Sequence, residues 1–222
     1  MGFKVAIDGP AGAGKSSVAK AVAEKLGLLY IDSGAMYRAA TLYFLRKKII
    51  DNPQEVVKGI KNVKVSFKQD KVFLNGEDVS EDIRTPEVTN NVKKIASIPE
   101  VREYMVQKQR EFGQNNDVIM DGRDITTVVF YDADVKIYLD ASVEERTRRR
   151  VKELEEKGIK VNVEKLKKEI IERDISDKNR KVGPLKIADD AIYIDTSSMT
   201  FEEVVKKVCG IVKSRYDRKN MV

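Results

Sequence analysis

The residues best suited to chemistry form one run near the start of the chain, Gly9-Pro10-Ala11-Gly12-Ala13-Gly14-Lys15-Ser16. The run has the spacing of a phosphate-binding loop, in which a glycine is followed by any four residues and then by glycine, lysine and serine or threonine. Glycines at these positions let backbone N–H groups turn inward around phosphate oxygens, and the helix that follows points its positive end at them. The run, extended by Ser17, therefore predicts a nucleoside triphosphate site.

Two side chains of this loop have distinct predicted roles. The Lys15 ammonium would bridge the terminal phosphates of ATP, and the Ser16 hydroxyl would be a ligand of Mg²⁺. The motif requires a strand before the loop and a helix after it, and the sequence predicts both, whereas an ordinary glycine-rich turn would need neither. ATP and Mg²⁺ are therefore the predicted cofactors.

Charged residues at two other places predict a second anion site that faces this loop. Arg38 follows the second predicted strand, and Arg123 and Asp124 follow a short apolar strand at residues 118–120. Both places lie at the carboxyl edge of the predicted sheet, where ligands of open α/β sheets bind. The alternatives are a solvated helix arginine for Arg38 and a surface ion pair for Arg123 with Asp124.

A third charged group lies on a predicted helix late in the chain. Arg173, Asp177 and Arg180 are spaced i, i+4 and i+7, so they would share one face of that helix. Such a face would present two guanidinium groups to a phosphoryl group. The alternative is a solvated i, i+4 ion pair, which would contribute only roughly 0.2–0.5 kcal/mol.

The elements that must position these residues alternate between strands and helices. Apolar patterning predicts strands at residues 3–8, 28–31, 118–120, 135–139 and 192–194, and helices at residues 15–26, 34–48, 86–97, 100–112, 142–157, 163–180 and 201–215. This order predicts an α/β fold with a parallel sheet flanked by helices. Residues 62–79 break the rhythm with a small antiparallel meander, whose first turn is at Gln69-Asp70.

Residue types that are missing or rare narrow the choice of function. The 222 residues contain no histidine, which excludes a Ser-His-Asp triad, a Cys-His pair and a histidine-ligated metal site. The single cysteine, Cys209, excludes an intramolecular disulfide and a thiolate zinc site, and its apolar surroundings predict a core position. No apolar run approaches the roughly 18 residues of a membrane span. The first apolar run of the chain is short and ends at Asp8, so we expect no signal peptide and a cytoplasmic protein.

The net charge of +6, from 42 Lys and Arg against 36 Asp and Glu, fits either a phosphorylated small substrate or nucleic acid. We expect no nucleic-acid partner, because tryptophan is absent and the other aromatic residues are scattered. We expect no membrane partner, because no apolar run is long enough to span a membrane. A GTPase would carry an Asn-Lys-x-Asp stretch late in the chain, and a translocating ATPase would usually be larger. A small kinase needs a second anion site that faces the loop and mobile arms that exclude water, and this chain has residues that could supply both.

Further motifs follow the phosphate loop in order along nearly the whole chain. They are Asp32-Ser33-Gly34-Ala35-Met36-Tyr37-Arg38, the meander with Asp82-Ile83-Arg84-Thr85, Pro99-Glu100-Val101-Arg102, Asp121-Gly122-Arg123-Asp124, and Glu172-Arg173-Asp174 through Asn179-Arg180. With the loop, they make the sequence resemble the bacterial cytidylate kinases, and such a set is far more specific than the loop alone. The resemblance implies transfer of the γ-phosphoryl group of ATP to CMP and dCMP.

The same resemblance implies how the chain is organised. It implies one kinase domain with a P-loop NTPase core similar to that of adenylate kinase, an enlarged monophosphate-binding insert and a short mobile helical lid. The insert is the meander, at about residues 62–85, and the lid spans about residues 157–184. The core is the remainder, at residues 1–61, 86–156 and 185–222. We expect this domain to be a monomer.

Matching motifs carry the family's contacts with the acceptor nucleotide onto this sequence. The residues implied to read the cytosine base are Ser33, Arg102 and Asp124. The residues implied to hold the acceptor phosphate are Arg38, Arg123 and Arg180. A carboxylate suits the N4 amine of cytosine and a guanidinium suits its N3 and O2 acceptors, whereas uracil reverses both groups.

The ribose contacts and the catalytic set are implied in the same way. Arg173 and Asp177 would meet the ribose hydroxyls, and Arg173 would also lie near the transferring group. The implied catalytic residues are Lys15, Arg123, Arg173 and Arg180. Their positive charge would stabilise the loose transition state of phosphoryl transfer, which needs little covalent chemistry from the protein.

Several assignments have alternatives at the level of sequence. Within the kinases, the acceptor would be another small molecule such as UMP or shikimate. From a different class, an ATP-dependent regulatory or nucleic-acid-binding module would use the loop without transferring phosphate. Asp121, at the end of a buried strand, would either hold a metal-bound water or cap the loop that follows it.

Overall fold

The computed structural model describes residues 2–68, 71–156 and 158–221. The predicted turn at Gln69-Asp70 and the first residue of the predicted lid, Lys157, lie outside the described residues. The chain divides into two compact units, the first made of Met1–Tyr30 with Asn115–Val222 and the second of Ile31–Gln114. Among the described residues, no helix is both long enough and apolar enough to cross a membrane.

The strands form two sheets, as the sequence predicts. The strands that the structure describes are β1 (Lys4–Asp8), β2 (Leu29–Asp32), β3 (Val65–Lys68), β4 (Lys71–Leu74), β5 (Glu77–Asp78), β6 (Val118–Gly122), β7 (Val135–Asp140) and β8 (Ile192–Asp195). The larger sheet has the order β2-β6-β1-β7-β8, in which β1 pairs parallel with β6 and β7, and β7 pairs parallel with β8. The smaller sheet, β3-β4-β5, is antiparallel. The predicted α/β class with a small antiparallel insert is therefore confirmed.

The helices differ from the sequence-based ranges by a few residues at their ends. Within the described residues they are α1 (Lys15–Leu26), α2 (Ser33–Arg46), α3 (Pro53–Gly59), α4 (Pro86–Ala96), α5 (Pro99–Asn115), α6 (Val143–Glu156), α7 (Val163–Asn179) and α8 (Phe201–Asn220). Helix α3 was not predicted, although its start signal is present. The Asn52 side chain accepts hydrogen bonds from the N–H groups of Gln54 and Glu55, and Pro53 takes the first helical position.

The centre of the first unit is strand β1, which is buried along its whole length. Val5 and Ile7 of β1 belong to one apolar cluster with Val18 of α1, Ile137 of β7 and Val208 of α8. Burying each such side chain contributes roughly 1.5–3 kcal/mol to stability. The phosphate loop therefore starts from a strand that is buried along its whole length.

The second unit has its own core. Met36 and Phe44 of α2 are buried, as are Ile83 and Ile95, and α2 packs on α4. The guanidinium of Arg46 donates to the carboxylate oxygens of Glu77 and Asp82 at 2.8–3.0 Å, which ties α2 to the segment that holds the small sheet. The predicted insert, about residues 62–85, lies inside this unit.

Gly9 is the position of the loop where a side chain would do the most damage. Its φ is +150°, and a Cβ there would lie 1.9 Å from the carbonyl oxygen of Leu139. We expect Gly9→Ala to lower the free energy of unfolding by more than about 3 kcal/mol, because the backbone of two strands would have to separate.

Gly27, at the end of α1, provides a matched control for this prediction. It also has a positive φ, +69°, but a Cβ there would meet nothing within 4 Å. Gly27→Ala should therefore lose only roughly 1–2 kcal/mol, the cost of the left-handed backbone alone. Urea unfolding followed by circular dichroism would measure both losses, and equal losses would show that the predicted clash at Gly9 does not exist.

Candidate active site

The phosphate loop runs from the end of β1 to the start of α1, and Lys15 is the first residue of that helix. The side chain of Lys15 folds back over the loop, where its Nζ donates a hydrogen bond to the carbonyl oxygen of Pro10 at 2.8 Å. Only 5% of the residue is exposed. A buried ammonium aimed along its own loop is the arrangement that the sequence motif predicts.

The surroundings of Lys15 lower its basicity. Burial, followed by the positive charges of Arg123 and Arg173, lowers the pKa of Lys15 to about 7, while Asp121 and Asp8 act in the opposite direction. Lys15, Arg123 and Arg173, three of the predicted catalytic residues, therefore influence one another electrostatically, and all three belong to the first unit.

Ser16 lies beside an acidic group at the edge of the sheet. Its Oγ donates to Asp121 Oδ2 at 2.8 Å, and the hydroxyl of Tyr30 donates to Asp121 Oδ1 at 2.8 Å. Hydroxyl and carboxylate oxygens are the hard ligands that Mg²⁺ prefers. Ser16 and Asp121 therefore fit a magnesium ion, and Tyr30, which the sequence did not single out, fixes the orientation of the carboxylate.

Asp8, the last residue of β1, is a residue of the candidate site that sequence reasoning missed. Its carboxylate is fully buried, with Oδ1 accepting from the N–H of Ile125 at 3.0 Å and Oδ2 accepting from the N–H and Oγ1 of Thr126 at 2.7 and 2.6 Å. Burial raises the pKa of Asp8, and the bonds from Thr126 and Ile125 oppose that rise. One carboxylate thus joins the phosphate loop to the segment after Asp124.

The segment after Asp124 is a π-helical turn, Ile125–Val129, which the sequence analysis did not predict. The carbonyl oxygen of Asp124 accepts from the N–H groups of Val128 and Val129 at 2.9 and 3.1 Å. Asp8 bonds the free N–H groups at the start of the turn, so its side chain acts as a cap from a distant strand. The sequence feature that could have indicated Asp8 is a carboxylate at the end of a mostly apolar strand.

Ion pairs join helix α7, which lies in the predicted lid, and the residue after it to the segment that follows β6. Arg123 Nε donates to Asp177 Oδ2 at 2.7 Å, and Arg180 pairs with Asp124 at 3.2 Å. All four side chains are mostly buried, so these pairs are stronger than solvated ones. Every one of them was predicted as a substrate contact.

The predicted single helix face needs a correction at Arg180. Helix α7 ends at Asn179, and Arg180 has an extended backbone, with φ −65° and ψ 143°. The Nε of Arg180 donates to the carbonyl oxygen of Gly183, in the segment that follows the helix. Arg180 therefore reaches Asp124 from beyond the helix end, and the i, i+7 relation to Arg173 does not hold.

Three predicted acceptor residues lie in the second unit. Ser33, at the start of α2, is buried, and Arg38 donates to Asp32 Oδ2 at 2.8 Å. Among the described residues, the buried Nε of Arg38 has no hydrogen-bond partner. Arg102 is 3% exposed, with its guanidinium 5.6 Å from the centre of the Tyr37 ring. A buried N–H group is costly unless it has a partner, so the Nε of Arg38 is suited to an anionic ligand.

The sequence matches the family model described as Cytidylate kinase over residues 5–214. It is 54% identical over 215 residues to the cytidylate kinase of Bacillus thuringiensis (strain Al Hakam), a match that covers 95% of this chain and 96% of that relative. The cytidylate kinase of Bacillus anthracis (strain CDC 684 / NRRL 3495) matches with the same identity and coverage.

A solved structure supports the fold independently of this similarity in sequence. The crystal structure of an uncharacterized protein from Eubacterium ventriosum ATCC 27560 superposes with a TM-score of 0.54 and covers 96% of this chain and 99% of that chain. The two sequences are 14% identical, so this likeness concerns the fold alone.

Proposed function

We propose, because this chain belongs to the cytidylate kinase family, that it transfers the γ-phosphoryl group of ATP to CMP and dCMP. The products are ADP with CDP or dCDP. The observation that carries the proposal is the buried Lys15 ammonium over the phosphate loop, with the cations Arg123 and Arg180 held by ion pairs just beyond the neighbouring strand β6. Such a group of cations in a partly dry site is suited to the charge of two converging phosphates.

The roles in the transfer step follow from this charge distribution. An ionised oxygen of the monophosphate attacks the γ-phosphorus in line, and the bond between that phosphorus and the bridging oxygen of ADP breaks. The attacking oxygen carries no proton that must be removed. The step therefore needs no general base, and the absence of histidine does not hinder it. Lys15 and the loop N–H groups hold the donor phosphates, while Arg123, Arg173 and Arg180 neutralise charge on the transferring group.

The magnesium ion of this reaction would be held by Ser16 and Asp121, whose oxygens lie side by side. When bound, the ion neutralises charge on the β- and γ-phosphates of ATP. Tyr30 and Asp121 would keep the Ser16 hydroxyl in place before the nucleotide arrives. Asp121 therefore belongs with the donor side of the site in this proposal.

The acceptor would be bound by the residues that the family's motifs imply. The acceptor phosphate would be held by Arg38, Arg123 and Arg180. The base would be read by Ser33, Arg102 and Asp124, and the ribose hydroxyls would be met by Arg173 and Asp177. Because Arg123 and Asp177 pair with each other, and Arg180 pairs with Asp124, the acceptor would exchange its own groups for these contacts. ATP, CMP and dCMP are the proposed partners, while the absence of a nucleic-acid partner, a monomeric state and a cytoplasmic location stay predictions.

The experiment that tests this function is product formation from Mg-ATP with CMP, dCMP, UMP, AMP, GMP and shikimate, each assayed separately. CDP and dCDP should form much faster than any other product. Another preferred acceptor would keep the kinase and overturn the cytosine assignment. No phosphorylated product from any of them would overturn the proposal and favour a module that binds ATP without transferring phosphate.

The depressed pKa of Lys15 predicts proton uptake when ATP binds. At pH 8 most Lys15 side chains would be neutral in the free protein, because the pKa is about 7. Bound polyphosphate favours the ammonium form, so binding at pH 8 should take up about one proton, and affinity should fall as the pH rises above 7. Calorimetry with Mg-ATP in two buffers of different ionisation enthalpy would count the protons. Lys15→Arg, which is always protonated, should take up none, and equal uptake by both proteins would contradict the prediction.

A further inference from the structure

The basic run of helix α6 contains a buried arginine, Arg146, among more exposed ones. Arg148 and Arg150 are exposed and pair with Glu145 and Glu153 of their own helix. Arg146 is only 3% exposed. A buried guanidinium needs hydrogen-bond partners for its N–H groups, and helix α6 itself does not supply them.

The partners of Arg146 come from three separate segments. Its Nε donates to the carbonyl oxygen of Ala141 at 2.9 Å, and its Nη1 donates to the carbonyl oxygen of Ala11, inside the phosphate loop, at 3.0 Å. The guanidinium also forms a bidentate pair with Asp174 of α7, with distances of 3.1 and 2.6 Å. One side chain therefore connects the end of β7, the phosphate loop and the lid helix.

The phosphate loop lies directly against this side chain. A Cβ on Gly12 would be only 3.2 Å from the Cβ of Arg146. Asp174 is 13% exposed at its side chain and is flanked by Arg173 in the sequence. The planar fork of arginine fixes both the distance and the orientation of a carboxylate, so the pair sets where the backbone of α7 runs past the loop.

We propose that Arg146 and Asp174 are a positioning pair that docks the lid helix α7 on the phosphate loop, so that Arg173 faces the transferring phosphoryl group and water is kept away. The inference rests on the proposed function, and neither residue needs to touch a substrate. Arg146 and Asp174 act through Arg173 and through the closeness of α7 to the loop.

A positioning role of Arg146 and Asp174 has a consequence that a purely structural role lacks. An arm that closes over a kinase site protects the γ-phosphoryl group from water, which otherwise competes with the acceptor. When α7 docks poorly, ATP should still bind, because Lys15 and the loop are intact. More of it should then be hydrolysed, with the γ-phosphorus bonding to a water oxygen and ADP and inorganic phosphate leaving.

The test compares two variants of the pair with two controls on α6. Asp174→Asn keeps the size of the side chain and removes its charge, and Arg146→Lys keeps the charge and removes the fork. Arg150→Lys and Glu153→Gln make the same chemical changes in the exposed pair of the same helix. ADP and CDP are measured separately in Mg-ATP with saturating CMP, beside the melting temperature of each protein.

We expect CDP formation to fall at least tenfold in both variants of the pair, and the ratio of CDP to ADP to fall from near one to below about one half. The double variant should be no worse than the worse single one, and both controls should keep the ratio of the unmodified enzyme. A ratio that stays near one in the folded variants would overturn the inference, as would failure of both to fold, because the pair would then be structural. If the unmodified enzyme forms no CDP, it is the proposed function that fails.

Discussion

Lys15→Ala is expected to reduce the turnover number by about a thousandfold, which corresponds to roughly 4 kcal/mol of transition-state stabilisation. Lys15 is 5% exposed and its Nζ lies 2.8 Å from the carbonyl oxygen of Pro10. Because Lys15 is the one lysine in the loop sequence, no other lysine of the loop can replace its charge. The ammonium is needed most when charge shifts toward the bridging oxygen of ADP. The loss should therefore appear in the turnover number more than in the KM for ATP.

The variant should remain folded, because the buried ammonium is itself unfavourable. Burial lowers the pKa of Lys15 to about 7, which means that the folded protein holds the charged form at a cost. Lys25→Ala changes an exposed lysine on the same helix and should leave turnover unchanged. Steady-state kinetics with CMP, beside thermal unfolding, would test this. A folded Lys15→Ala protein with turnover within tenfold of the unmodified enzyme would remove Lys15 from the mechanism.

Asp124→Asn is expected to lower kcat/KM for CMP by about 100-fold and to lower kcat/KM for UMP much less. A hydrogen bond to a charged group contributes roughly 1.5–3 kcal/mol, and the proposed bond joins the Asp124 carboxylate to the N4 amine of cytosine. Uracil carries a carbonyl oxygen at that position, which an amide can meet with its own NH₂ group. The preference for CMP over UMP should therefore shrink.

Asp177→Asn is the matched control for this specificity. It also removes one carboxylate from a pair with an arginine, since Asp177 bonds to Arg123 as Asp124 pairs with Arg180. Its proposed contact is the ribose, which CMP and UMP share, so it should lower both kcat/KM values by the same factor. Equal losses for the two nucleotides in Asp124→Asn would show that Asp124 does not read the base.

The phosphate loop could be predicted from the sequence because all of its chemistry lies in consecutive residues. Lys15 starts α1 and the loop joins a buried strand to that helix, as the spacing alone indicated. The larger sheet could be predicted for a related reason. Its short apolar strands alternate with helices, and that order leaves few topologies.

The contacts between distant segments could not be predicted in this way. Nothing near Asp8 in the sequence indicates that Ile125 and Thr126 will donate to it, more than 110 residues later. Arg146 lies in a run of charges that looks solvated, and only the packing of α6 on α7 shows which arginine is buried. For Arg180, helical spacing was extended one residue beyond the helix end, where the chain had already turned.

The strand that carries the phosphate loop has neighbours that are synthesised much later than itself. The N–H of Phe3 donates to Asp117, 114 residues further on, and β7, the partner on the other side of β1, ends at Asp140. At roughly 5–20 residues per second, a ribosome needs on the order of ten seconds to deliver both partners. During that time β1, most of whose residues are apolar, has neither of its neighbouring strands to pair with. A nascent chain would hold no ATP until β7 has emerged.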